Sequence, residues 1–73
     1  MTRLRSATLS AADYDGVGQT LRLQFGDGAC YQYASISPAL FAELLAAPSQ
    51  GAFFNRFIRG KFLFCRLKDR LLI

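Results

Sequence analysis

Phe25-Gly26-Asp27-Gly28-Ala29-Cys30-Tyr31-Gln32-Tyr33 is the stretch whose reading decides the fold. The alternating run Leu21-Arg22-Leu23-Gln24-Phe25 enters it, and a second alternating run carrying two tyrosines leaves it. Asp27-Gly28 between two such runs is a strong short-range signal for a β-hairpin. A two-residue loop, Asp27-Gly28, would set Tyr31 and Tyr33 opposite Gln24 and Arg22, on the polar face. A three-residue loop, Gly26-Asp27-Gly28, would set Leu23 opposite Tyr31 and Leu21 opposite Tyr33. One residue of loop length therefore swaps the face of every side chain on the second strand. The three-residue loop gathers Leu21, Leu23, Phe25, Tyr31 and Tyr33 on one side, and Gly28 takes a positive φ without a Cβ penalty. It is the expected register, with the two tyrosines in the core.

The rest of the chain supplies cover for that face. Residues 6–14 read as a first strand, with Ala7, Leu9 and Ala11 alternating against Ser6, Thr8 and Ser10. Asp15-Gly16-Val17-Gly18 reads as a turn, with Asp15 forming it and Asp13 solvated. Residues 19–25 and 29–34 are the hairpin strands. Ser37 is placed to cap a helix whose first residue is Pro38. Leu40, Phe41, Leu44 and Leu45 form its apolar stripe, and Pro48 closes it. Ser49 caps a second helix over residues 50–59, with Phe53, Phe54, Phe57 and Ile58 as its stripe and Gly60 as its left-handed cap. Residues 61–67 read as a last strand. Leu63, Cys65 and Leu67 fall on one side of it, and Phe62 and Phe64 on the other. The expected architecture is α+β, in the order β-β-β-α-α-β: an antiparallel sheet of three to four strands with two short helices on one face. At 73 residues this is a single domain with a small core.

Charge is unevenly distributed. Residues 1–55 hold three arginines against four acids, whereas residues 56–73 hold six Lys and Arg against Asp69 alone. On the second helix Asn55, Arg56 and Arg59 fall off the apolar stripe, with Lys61 and Arg66 following. This patch points to phosphate or an acidic surface as partner. The absence of histidine removes the commonest general base and metal ligand. No nucleophile sits with a base and no glycine-rich phosphate loop precedes a helix, so neither catalysis, a metal nor a cofactor is expected. Cys30 and Cys65 lack a paired-ligand spacing and read as two small buried thiols of a reducing cytoplasm. No apolar run is long enough to cross a bilayer, and no signal sequence follows Met1.

Three segments together resemble the KTSC domain family, named for the C-terminus of some lysyl-tRNA synthetases and found also in free-standing bacterial and phage proteins. They are Ser6 to Asp15, then Leu21-x-Leu-x-Phe-x-Asp-Gly-x-x-Tyr-x-Tyr33, then Leu44-Leu45-Ala-Ala-x-Ser-x-Gly-x-Phe-Phe-Asn-Arg-x-Ile-Arg-Gly60. The match covers about residues 6–67 and leaves 68–73 as a tail. Asp13 stands where the family usually has glycine, and Pro38 lies one position later than usual. The resemblance implies a domain of unassigned function for which RNA binding has been suggested.

Two functions of different class fit these residues. One is an RNA-binding module using Asn55, Arg56, Arg59, Lys61 and Arg66. The other is a protein-interaction module, or homodimer, that uses the last strand or the apolar end Leu71-Leu72-Ile73. Neither calls for a small-molecule substrate or a membrane.

Overall fold

The computed structural model describes residues 2–4 and 8–67. Among these residues, five antiparallel strands lie in sequence order across one sheet: β1 (Thr2–Arg3), β2 (Leu9–Asp15), β3 (Thr20–Phe25), β4 (Cys30–Tyr33) and β5 (Phe64–Leu67). Helix α1 (Pro38–Ala46) and helix α2 (Gln50–Phe53, continued by a wider turn over Phe54–Ile58) are inserted between β4 and β5. The order β-β-β-α-α-β is as expected, preceded by the two-residue β1. The tail 68–73 and the start of the expected first strand, residues 6 and 7, lie outside the described residues.

The hairpin takes the three-residue loop. Leu21 pairs with Tyr33 and Leu23 with Tyr31. Phe25 N–H donates to Ala29 O at 2.8 Å, closing the loop. Gly28 holds φ at +94°, with nothing within 4 Å of a Cβ built there. Backbone conformation and not space therefore demands glycine. Asp27 Oδ1 accepts the Ala29 N–H at 2.9 Å and stiffens the turn.

Strand β2 is irregular. The β2 register shifts between Leu9 and Ala11, so Leu9 pairs with Phe25 while Ala12 pairs with Leu23. This bulge brings Leu9 and Ala12 to the core, both fully buried, and overturns the simple alternation that put Ala11 there. Ser10 Oγ donates to Gln24 O at 3.2 Å beside it. Tyr14 then also faces inward, stacked on Phe41 at 4.6 Å, with its hydroxyl donating to Ile36 O at 2.6 Å. On the opposite face Asp13, its side chain still open to solvent as expected, meets Arg22 at 3.8 Å in an ion pair.

Both helix starts carry their serine caps. Ser37 Oγ accepts the Leu40 N–H, and Ser49 Oγ accepts the Ala52 N–H. Ala47 turns extended ahead of Pro48, ending α1. The second helix departs from the expected regular run over 50–59. Arg59 N–H bonds Phe54 O, five residues back, at 2.9 Å. This wider turn lowers the rotation per residue, so Ile58 comes beneath Phe54 and both are buried. Phe57 swings off the stripe and is 46% exposed, correcting its expected core position. The helix ends at Arg59, which is extended, and Gly60 at φ +74° is the third residue of a tight turn closed by Lys61 N–H to Ile58 O.

The chain then returns antiparallel beside β4. Tyr33 pairs with Phe64 and Tyr31 with Arg66, while Cys65 pairs with Gln32. Cys30 is buried, but Cys65 is exposed on β5, an outer strand among the described residues. The expectation of two buried thiols therefore holds for Cys30 alone.

Phe54 is buried between Phe25 and Tyr33, so Phe54→Ala should cost about 3–5 kcal/mol. Phe57→Ala, losing mainly its contact with Phe53, should cost about 1 kcal/mol or less. Urea melts of the two variants check this, and equal losses would place Phe57 in the core.

Candidate nucleic-acid interface

The sheet is wider than the two short helices laid on it. Helix cover is full over Leu9, Leu21 and Leu23 of β2 and β3, which are completely buried. It thins toward β5, where Phe64 is 55% exposed although it shares the helix-bearing face with Tyr33. A groove of about 570 Å³ opens there.

Five rings form a closed circuit along this groove. Phe25 meets Tyr31 at 5.5 Å, Tyr31 meets Phe64 at 5.7 Å, and Phe64 meets Tyr33 at 5.5 Å. Tyr33 meets Phe54 at 5.6 Å and Phe54 returns to Phe25 at 5.4 Å. The contacts of Phe54 with Phe25 and Tyr33, and of Phe25 with Tyr31, are edge-to-face, the geometry that aromatic quadrupoles favour. One side of the circuit is core: Phe54 and Tyr33 are buried. The other side is wet: Tyr31 is half-buried and Phe64 exposed.

Charged and polar groups edge the rings. The Arg66 guanidinium lies over the Tyr31 ring at 5.7 Å from its centre. Arg59 Nη1 donates to Asn55 Oδ1 at 3.3 Å, and both residues line the groove. The wide turn places them: Asn55 lies within it and Arg59 closes it. Asp27 and Thr8 line the same groove from the hairpin loop and from the residue before β2. Two arginines against one carboxylate leave the groove positive. Burial raises the Tyr33 phenol above its ordinary 10.0; Tyr31 adds to the rise and Arg59 opposes it.

Of the residues singled out from the sequence, Asn55, Arg59 and Arg66 converge here. Arg56 does not line the groove; it lies over the Phe57 ring at 5.6 Å, on the outer flank. Lys61 sits exposed in the turn after the helix, also off the lining. The hairpin register by itself puts both tyrosines on this face as core residues and Asp27 in a turn; that they border an open groove is visible only in the structure. The available signal was the alternation Phe64-Cys65-Arg66, which in antiparallel register beside Tyr31-Gln32-Tyr33 puts a ring and a cation next to both tyrosines.

Comparison with known proteins agrees with this architecture. The KTSC domain family model matches residues 5–62. A lysine–tRNA ligase of Nostoc punctiforme is 43% identical over 54 residues, which is 74% of this chain but 10% of the ligase. A small protein of Tsukamurella paurometabola is 40% identical over 62 residues, covering 85% of this chain and 92% of its own length. The crystal structure of a KTSC domain protein from Yersinia pestis superposes with a TM-score of 0.88 at 29% identity, covering 90% of this chain and 93% of that one.

The raised Tyr33 phenol has a consequence for stability. The folded state holds this proton more tightly than the unfolded state does. Stability is therefore intact below the unfolded value near 10 and falls as pH climbs through the higher folded value. Denaturant melts between about pH 9 and about pH 11.5 should show a steeper loss for the parent than for Tyr33→Phe. Parallel losses would mean that the phenol is solvated.

Proposed function

We propose that this chain, which belongs to the KTSC domain family, is a non-enzymatic module that binds single-stranded RNA along the groove beside β5. The observation that carries the reading is the meeting of rings and guanidinium groups in one open channel: half-buried Tyr31 and exposed Phe64 line it together with Arg59 and Arg66. A π-face accepts any base by stacking, and flanking arginines neutralise the phosphates on either side of a splayed nucleotide. Asn55, held by Arg59, offers an amide to a base edge. The chain's net charge of +4 favours approach of a polyanion. Similarity to a protein named as a lysine–tRNA ligase supports an RNA context, although that similarity spans 10% of the ligase. Work on RNA would place the protein in the cytoplasm.

A second reading rests on the same edge of the sheet. Leu63, just before β5, is 83% exposed, and β5 is an outer strand among the described residues. A partner protein could add a strand there. Salt separates the two readings, because apolar strand addition is not weakened by salt as phosphate binding is.

Fluorescence anisotropy with a short single-stranded RNA, repeated over a range of salt concentrations, tests the proposal. Each phosphate neutralised on a single strand contributes a slope of about −0.7 in log affinity against log salt, so the double variant Arg59→Glu/Arg66→Glu should flatten the slope by about 1.4. Arg56→Glu, outside the groove, should change it less. Undetectable binding by the parent at low salt would overturn the reading.

A further inference from the structure

The groove carries one group that phosphate binding does not use. Asp27 lines it from the hairpin loop, on a floor of aromatic rings shared with Arg59 and Arg66. A lone carboxylate in a channel for a polyanion repels the backbone. It is suited instead to a base edge rich in donors, since an ionised carboxylate only accepts hydrogen bonds. The Ala29 N–H occupies Oδ1 at 2.9 Å, which orients the group and leaves further lone pairs on both oxygens.

Resting on the RNA reading, we propose that this groove prefers guanine, with Asp27 accepting from its Watson–Crick edge while the ring stacks on Tyr31 and Phe64. Guanine presents two adjacent donors, the N1–H and the exocyclic amine, which match the two oxygens of a carboxylate. Adenine and cytosine each set their amine beside a bare ring nitrogen whose lone pair faces the carboxylate. Uracil offers a single N–H between two carbonyls. Arg59 and Arg66 then hold the phosphates that flank the bound guanosine. The assignment gives each polar group a partner of opposite character: cations to phosphate, carboxylate to base donors.

The test uses the full chain and four labelled hexanucleotides at low salt. One is hexauridine; the others carry a single guanosine, adenosine or inosine at an internal position. The guanosine strand should bind about tenfold more tightly than the uridine and adenosine strands, the scale of one good two-point base contact. Inosine, which lacks the exocyclic amine, should fall between. Asp27→Asn should erase the guanosine preference, should not weaken hexauridine binding, since it removes a charge that repels the backbone, and should leave the melting temperature unchanged. Asparagine suits this hairpin loop and still accepts the Ala29 N–H, but it offers an amide N–H₂ where guanine needs an acceptor. Equal binding of all four strands by the parent, or a preference that survives Asp27→Asn, would overturn this inference and leave the RNA reading standing. Failure of every strand to bind would overturn both.

Discussion

Gly28 at φ +94° is the constraint on which the rest depends. It closes a three-residue loop, and that loop length sets the register of β4 against β3. A slip of one residue would turn Tyr31 and Tyr33 to the helix-free face and send Gln32 inward. The core would lose its largest β4 side chain, and helix α2 would lose the ring against which Phe54 packs. The return strand β5 copies the same register, because its pairing with β4 puts Phe64 and Arg66 beside the two tyrosines. A single backbone conformation at the hairpin therefore propagates through three strands to the composition of the groove.

The second determinant is a mismatch of widths. Five strands offer more surface than one helix of nine residues and one short, widened helix can cover. The aromatic circuit spans the boundary between covered and uncovered sheet. Its buried rings contribute to the core, and each edge-to-face contact adds about 0.5–1.5 kcal/mol beyond the area it buries. Its outer rings are held in place by the inner ones without being covered by them. Such a platform costs little ordering on binding, since the rings are already fixed by their neighbours. The wide turn in α2 contributes in two ways: it lets Phe54 and Ile58 reach the core together, and it carries Asn55 and Arg59 to the groove.

Much of this fold is legible from local rules. The hairpin register follows from apolar segregation, the helix starts from Ser37-Pro38 and Ser49, and the Gly60 turn from glycine's tolerance of positive φ. The bulge at Ser10 and Ala11 is not legible, because its cause lies across the ladder, in aligning both Leu9 and Tyr14 with the core. The wide turn is hidden likewise: the spacing of Phe53, Phe54, Phe57 and Ile58 fits a regular helix equally well. Ile36 is fully buried although it lies between β4 and α1, outside any periodic run. At the candidate site, charge asymmetry marks Arg59 and Arg66, and helical spacing adds Asn55 beside Arg59. It does not separate them from Arg56 and Lys61, which share their composition but not their position. The role of Tyr31 and Phe64 depends on where helix cover stops, and periodicity carries no information about that edge.

The central claim is that the hairpin register turns half-covered core rings into a binding platform. NMR of the ring protons during titration with a short single-stranded RNA tests it most directly. The account predicts upfield shifts at Tyr31 and Phe64 as bases stack on them. Contacts between base protons and these rings should accompany the shifts, with Arg22 and Gln32 on the other face little changed. Shifts confined to Arg22, Gln24 and Gln32, with the Tyr31 and Phe64 rings unmoved, would contradict it.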